Sequence, residues 1–317
     1  MIKPRTYMLF RQSFVCPIKT ARGVWTDRVS LVLRQDHENG FTSFGEVSAL
    51  PGFFDFSLKD AQAEAEQWSR EGGHIDEFSI IGPALSSLAS NIWKDGDRQI
   101  KLPSSARLWG MPGCEDARVI KRKVGLSLPQ NEIPEIVDWL ETLAPNIQVR
   151  LDPNESFSRD VLLLWIDALQ QYQSVQFIEQ PTGPTDDEWL FKFAEDSPVP
   201  IALDEGLSRI KSFEELVNLP SQLYLVIKPL LFPNWGKTLN LLTDQFERVI
   251  FSTAFESPFG YEALLRLSSH SLMTPGLERS CFRGNQYEFM EHHLDTLTSP
   301  CVSNHKLVEL WDRTFAL

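Results

Sequence analysis

The 317-residue chain carries 43 Asp and Glu against 30 Lys and Arg, a formal net charge of −13, which argues against binding nucleic acid through a basic surface. Hydrophobic residues make up 42% and charged residues 23%, ordinary values for a soluble globular protein. The length allows a barrel of roughly 200 to 250 residues plus a smaller second domain.

From about residue 5 to 50 the pattern favours strands. Val29 to Leu33 is a run of β-formers, and Asn39-Gly40 is a hairpin turn signal. Two helices follow. Ser57 and Asp60 form a capping-box-like start to a helix over Leu58 to Arg70, and Pro83 opens a second, with Leu85, Leu88, Ala89 and Ile92 at helical spacing. Residues 1–100 therefore read as a small α+β unit.

After Pro103 short apolar strands recur: Ala106 to Trp109, Val119 to Val124, Ile147 to Leu151, Val175 to Ile178, Pro200 to Leu203, Leu223 to Ile227 and Arg248 to Phe251. Amphipathic segments separate most of them. Ile133, Ile136, Val137, Leu140 and Leu143 mark one helix face, and Val161, Leu162, Trp165 and Leu169 another. Thr185-x-x-Glu188 and Ser212-x-x-Glu215 resemble helix starts. Such alternation gives parallel βα units with right-handed crossovers. With seven or eight of them, a closed barrel is favoured over an open sheet. The expected class is α/β, a modified TIM-type (β/α) barrel over 101–290 with the α+β unit as a cap. Residues 291–317 are expected to form a C-terminal segment that packs back on the cap.

The longest apolar run, Val161 to Ile166, is too short to span a bilayer, and no apolar segment follows Met1-Ile2-Lys3-Pro4-Arg5. Cys16, Cys114, Cys281 and Cys301 have neither zinc-site spacing nor disulfide-framework density. A cytoplasmic protein with reduced thiols and no membrane partner is the expectation. Nothing in the sequence specifies an oligomeric state.

The chemistry stands at the C-terminal ends of the strands, where barrel enzymes place their catalytic groups. Lys121-Arg122-Lys123 ends the second strand, Asp152-Pro153-Asn154 the third, Glu179-Gln180-Pro181 the fourth, Asp204-Glu205-Gly206 the fifth and Lys228-Pro229 the sixth. A charge directly after several apolar residues is costly unless it faces a polar site or a metal. One such end is often a strand emerging into solvent; five in succession are not. Asp152, Glu179 and Asp204, spaced 27 and 25 residues apart, would converge at the barrel mouth. Three like charges so close need a cation, and hard oxygen donors without His or Cys favour Mg²⁺, with Mn²⁺ as a substitute. Alternation puts Lys121 and Lys123 on one face of their strand, the barrel interior. Near a divalent cation, two such ammonium groups would depress each other's pKa and make a neutral amine available as a base. Lys228 approaches from the other side.

This pattern resembles the enolase superfamily and, within it, the muconate-lactonizing-enzyme-like subgroup, whose sites use a Lys or His base with Mg²⁺. In the first domain Thr20-Ala21-Arg22-Gly23 is similar to the family's first specificity loop. The segment Gly45-Glu46-Val47-x-x-Leu50-Pro51-Gly52-Phe53 is similar to the second. Both would close over the mouth. Within the subgroup the chain most resembles the o-succinylbenzoate synthases. The segments that carry this likeness are Thr20 to Gly23, Lys121-Arg122-Lys123-Val124-Gly125, Arg150-Leu151-Asp152-x-Asn154 and Glu256-Ser257-Pro258-Phe259-Gly260.

The resemblance implies dehydration of 2-succinyl-6-hydroxy-2,4-cyclohexadiene-1-carboxylate (SHCHC), a small-molecule carboxylate, to 2-succinylbenzoate in menaquinone or phylloquinone biosynthesis. It implies Asp152, Glu179 and Asp204 as Mg²⁺ ligands and Lys123 as the acid–base residue. Lys228 would stabilise the enediolate from the opposite face, and Lys121 would tune Lys123 and bind carboxylate. Thr20, Arg22, Arg150, Asn154, Ser252 and Thr253 would contact the substrate, with Glu205 and Glu256 supporting the site from behind.

Three positions depart from the family pattern. Arg122 is larger than the small or β-branched residue common between the lysines, Ser252-Thr253 replaces Ser-Ser, and Gly276-Leu277-Glu278-Arg279 replaces a Gly-rich run. Muconate cycloisomerases and N-acylamino-acid racemases share the motifs and stay open. Dipeptide epimerases usually carry an Asp-x-Asp that is missing between Gly276 and His292. A mandelate-racemase-like His–Asp base is disfavoured, with His270 expected in a helix and His292-His293 read as a surface pair. A barrel that had lost its chemistry would show decay at the lysines or carboxylates, and all six are present.

Overall fold

The computed structural model describes residues 5–20, 23–38, 40–48, 55–72, 79–94, 99–103, 105–111, 114, 117–210, 212–232, 234–279, 281–283, 291–292, 296–300 and 304–315. Strands β1 (Arg5–Thr20), β2 (Gly23–Asp36) and β3 (Thr42–Val47) form an antiparallel sheet in that order. The β2–β3 reversal falls where the hairpin signal predicted it, with Gly40 at φ 91°, a left-handed conformation that glycine adopts without steric cost. Helix α1 (Leu58–Glu71) begins with the predicted capping box, Ser57 and Asp60 each closing on the other's backbone. Helix α2 (Gly82–Ala89) has proline in its first turn and packs against β3. Strand β4 (Gln99–Pro103) leads out of this unit.

The predicted strands then appear in turn: β5 (Arg107–Leu108), β6 (Val119–Lys123), β7 (Gln148–Asp152), β8 (Val175–Glu179), β9 (Ile201–Leu203), β10 (Tyr224–Ile227) and β11 (Val249–Phe251). All pair parallel, in sequential order. Between them lie α3 (Pro129–Thr142), α4 (Arg159–Leu169), α5 (Asp187–Ala194), α6 (Phe213–Val217) and α7 (Trp235–Leu241), and α8 (Pro258–Ser268) follows β11. Helix α5 starts later than Thr185 predicts, because Pro184–Asp186 form a separate 3-10 turn. His270 lies in a turn beyond the end of α8, not in a helix.

The sheet curls toward closure through residues 275–277. The Ala106 amide donates to the Pro275 carbonyl (2.8 Å), and the Gly276 amide to that of Phe251 (2.8 Å). The Leu277 amide donates to Ser105 Oγ (2.8 Å). A three-residue segment thus stands where an eighth strand belongs, between β11 and β5. Further on, β12 (Glu291–His292) pairs with β13 (Thr296–Pro300), and β13 pairs antiparallel with β4. Helix α9 (Asn304–Phe315) brings Trp311 to within 6.0 Å of Phe44 and 5.8 Å of Phe259 between ring centroids.

Side-chain alternation sorts the strands into two surfaces. Outward residues such as Ile120, Leu151, Ile178, Leu203 and Ile227 join the main core against the helices, while Phe177, Ala202, Val226 and Ile250 form a separate inner cluster. Burial of each such Leu, Ile or Phe contributes about 1.5–3 kcal/mol. Two residues beyond the inner cluster, on the same face, stand Glu179, Asp204, Lys228 and Ser252. The apolar floor therefore sets the height of the charged layer.

Candidate active site

Each of the three carboxylates ends or directly follows its strand and is buried: Asp152 on β7, Glu179 on β8 and Asp204 after β9. Lys121 on β6 lies between two of them, its Nζ 2.8 Å from Asp152 Oδ2 and 2.7 Å from Glu179 Oε1. Lys228, after β10, bonds Asp204. Lys123 sits one pleat nearer solvent than Lys121, beside Asp152 in the β6–β7 register, exposed at the mouth and bonded to the Asn154 side-chain oxygen.

Among the described residues, no three His, Cys, Asp or Glu side chains are already gathered as a metal cage. The lysine ammonium groups hold the carboxylates instead. The donor set nevertheless fits a hard divalent cation. Three buried, acceptor-only carboxylates from adjacent strands are shared by two half-buried ammonium groups, which leaves negative charge uncompensated. Glu179 expresses that deficit. Burial, opposed by Lys121 and reinforced by the charges of Asp152 and Asp204, pushes its pKa up to about 7. Burial also raises Asp204, against the pull of Lys228. For Asp152 burial is outweighed by Lys121 and Lys123, which hold it below the usual carboxylate range.

The expectation of a depressed Lys121 concerns the site with a divalent cation; with the carboxylates facing the lysine alone, the balance is different. Burial would lower its pKa, but Asp152, Glu179 and Asp204 together outweigh that and raise it. The carboxylates dominate the neighbouring ammonium. Lys228 is likewise raised, with Asp204 and Glu205 overcoming burial.

The remaining predicted residues divide. Asn154, at φ 47°, accepts from Lys123 and donates to Glu205 Oε1 (3.4 Å), so Glu205 stands directly behind the mouth. Ser252 follows β11 on the inner face, its amide on the Ile227 carbonyl. Thr253 instead turns its hydroxyl to Glu256, which also takes the Ala254 amide (2.8 Å), so Glu256 shapes the turn beyond Ser252.

Arg150 requires a correction. It lies two residues below Asp152, buried, with Nε on Gln176 Oε1 (2.6 Å), Nη2 on the Thr274 carbonyl (2.7 Å) and its guanidinium 5.1 Å from the Phe177 ring centroid. A position two residues back on the inner face leads into the barrel floor, and Arg150 braces that floor and is no substrate contact. Thr20 ends β1, and Arg22 lies outside the described residues; of the second specificity segment, Gly45 to Val47 are buried in β3 and form no loop, while Ala49 to Phe53 lie outside the described residues.

Arg122, the residue that departs from the family pattern, points outward. Its guanidinium lies over Trp139 (4.7 Å) and Trp109 (5.4 Å) and pairs with Glu135. Stacking on indole faces is favourable for a guanidinium, so the large residue fits without touching the site.

Two residues without an assigned role in the sequence prove to be junctions. Glu46, on β3, is fully buried and accepts from the Ser257 amide (2.8 Å) and hydroxyl at the start of α8. Its signal was a charge in a strand whose residues are all buried. Gln180, between Glu179 and Pro181, makes contacts to three strand ends. Its signal was a polar amide following a buried carboxylate.

Residues 110–229 match the family model for enolase C-terminal domain-like proteins. Among curated proteins, the chain is 27% identical over 288 residues to o-succinylbenzoate synthase of Thermosynechococcus vestitus, covering 82% of this chain and 87% of that one. It is 28% identical to the Vibrio cholerae o-succinylbenzoate synthase, covering 76% and 79%. In fold it is similar to the crystal structure of o-succinylbenzoate synthase from Thermosynechococcus elongatus with Mg in the active site (TM-score 0.76, 24% identity, 98% and 99% of the two chains). It is also similar to muconate lactonizing enzyme from Pseudomonas putida (TM-score 0.72, 14% identity, 98% and 99%). With this barrel and these strand-end charges, the chain carries an enolase C-terminal domain-like region over residues 110–229 and is similar along most of its length to o-succinylbenzoate synthases.

Proposed function

We propose that the protein is an o-succinylbenzoate synthase, a hydro-lyase that converts SHCHC to 2-succinylbenzoate in the cytoplasm, as a step toward menaquinone or phylloquinone. The observation that carries this reading is the charged layer itself: three buried carboxylates on adjacent strands, Lys121 and Lys228 bonded to them, and Lys123 exposed one pleat above. The curated relatives of that name, which the chain covers over most of their length, support it.

In this reading Asp152, Glu179 and Asp204 hold Mg²⁺, and Mn²⁺ serves as a substitute. When bound, the ion supplies positive charge that anchors the substrate carboxylate and stabilises the negative charge developing on it. Lys123 takes the proton α to that carboxylate. It then returns a proton to the hydroxyl on the same face, the C–O bond breaks, water leaves and the ring becomes aromatic. One lysine suffices because both transfers occur on one face. Lys228, on the far side of the layer, opposes the charge that builds as the α-proton departs. Asn154 orients Lys123 through its side-chain oxygen, and Ser252 with the loop carrying Thr20 and Arg22 contributes substrate contacts.

The test is direct. Incubation with SHCHC and Mg²⁺ should yield 2-succinylbenzoate, identified by chromatography, and chelation should abolish it. No product with SHCHC, together with racemisation of an N-succinyl amino acid, would move the protein to the racemase activity of the same subgroup.

A further inference from the structure

Three loops follow the carboxylate-bearing strands, and each departs from ordinary backbone geometry. Asn154 (φ 47°) and Glu155 (φ 63°) follow Asp152, and Gln180 (φ 40°) follows Glu179. Asp204 itself sits at φ −121°, ψ −86°, neither helix nor strand. Non-glycine residues in such conformations persist only where their surroundings over-determine them, and they cluster at functional sites.

Gln180 is what those surroundings share. It is wholly buried. Its amide donates to the Ala202 carbonyl on β9 (2.7 Å), and its carbonyl accepts from Glu155 in the loop behind Asp152 (2.8 Å). Its side-chain oxygen accepts from the amides of Asp204 (3.1 Å) and Gly206 (2.8 Å), and its side-chain nitrogen donates to the Thr182 carbonyl (3.2 Å). Two converging backbone N–H groups fix which end of the amide faces them. The loops behind Asp152, Glu179 and Asp204 therefore meet in one residue.

Gly206 adds an independent observation. A β-carbon there would lie 2.7 Å from Gln180 Oε1 and 3.2 Å from its Nε2. Its φ is not left-handed, so room for the glutamine, not backbone freedom, is what demands glycine. Glu-Gln-Pro after β8 and Asp-Glu-Gly after β9 are two halves of one contact.

We propose that Gln180 is a positioning residue that sets the separation of the three carboxylates, by locking the Asp204 backbone to the ends of β7 and β8. The proposal rests on the reading of those carboxylates as the Mg²⁺ ligands. Gln180 touches neither metal nor substrate; it acts through Asp204. Supports of this kind typically change metal affinity by about 10- to 100-fold.

The experiment is calorimetric titration with Mg²⁺ of the full-length wild type, Gln180→Leu, Gly206→Ala and Asp204→Asn, each checked for folding by circular dichroism and thermal unfolding. Gln180→Leu keeps the bulk and removes the acceptor, so Mg²⁺ affinity should fall about 10- to 100-fold in protein that is still folded. Gly206→Ala should weaken binding in the same direction by displacing the glutamine oxygen, and it supplies the answer if Gln180→Leu does not fold. A lower unfolding temperature with unchanged Mg²⁺ affinity in the folded variants would overturn the proposal and leave Gln180 a loop brace only. Asp204→Asn separates the two readings. If it binds Mg²⁺ as the wild type does, the ligand set is wrong and the role of Gln180 falls with it. If Asp204→Asn is weakened while both other variants bind normally, the role of Gln180 alone is refuted.

Discussion

Strands β6 to β9 and the seam between β11 and β5 both reach the barrel mouth, but they are held there in different ways. In the first region side-chain chemistry crosses every strand boundary at the C-terminal ends: Lys121 spans β6 to β8, Gln180 ties β8 to β9, and Lys228 bonds Asp204. At the seam a three-residue segment makes one backbone bond toward β5 and two toward β11, helped by Ser105 Oγ and, one residue further on, by the Arg107–Glu278 ion pair. The charged region cannot relax without separating opposite charges in a buried setting, whereas the seam can lose a bond at modest cost. Side-chain ties are concentrated at the charged layer, and the closing segment serves mainly to complete the wall.

That contrast can be broken at several points. Phe177→Ala, which removes the floor beneath Glu179 and the ring under Arg150, should lower unfolding free energy by about 3–5 kcal/mol, measured by denaturant titration. A loss under 1 kcal/mol would mean the inner cluster does not support the charged layer. Asp204→Asn should come next, weakening Mg²⁺ binding by at least about 100-fold, more than loss of a supporting residue usually does; unchanged calorimetric affinity would remove it from the ligand set. At the seam, Ser105→Ala leaves the buried Leu277 amide short of its acceptor. It should cost about 1–3 kcal/mol in stability with Mg²⁺ affinity unaltered, and a fall in affinity would show that the two regions are coupled. Smallest of all, Arg122→Ala should change stability by about 0.5–1 kcal/mol through its lost stacking on Trp109 and Trp139, again without effect on the metal.

The same contrast governs what could be read from the sequence. Strands β6 to β10 end in charges directly after apolar runs, so both their limits and the inward direction of Lys121, Lys123, Asp152, Glu179 and Asp204 were legible from alternation. The seam has no such mark, since Gly276 and Leu277 form no run of β-formers. Helix α8 was anticipated only around His270, without bounds, for a related reason. Every residue from Pro258 to Ser268 is buried, so it lacks the apolar stripe that identifies a surface helix, and only the Ser257 cap betrays it. Arg150 was misplaced because alternation gives the face of a strand but not the depth: two residues below Asp152 is floor, not mouth. For Lys121, spacing shows which charges meet, while the balance among three carboxylates and their lysines needs distances.

The most direct test of the site as a lysine acid–base centre is SHCHC turnover by Lys123→Ala with Mg²⁺ affinity measured on the same protein. Lys123 is exposed and donates to Asn154, so its truncation should leave the fold and the carboxylates in place. Mg²⁺ binding should stay within about threefold of wild type while turnover falls by about 10²- to 10⁴-fold, the range typical of a lost general acid–base group. Turnover within tenfold of wild type, with Mg²⁺ bound, would contradict it.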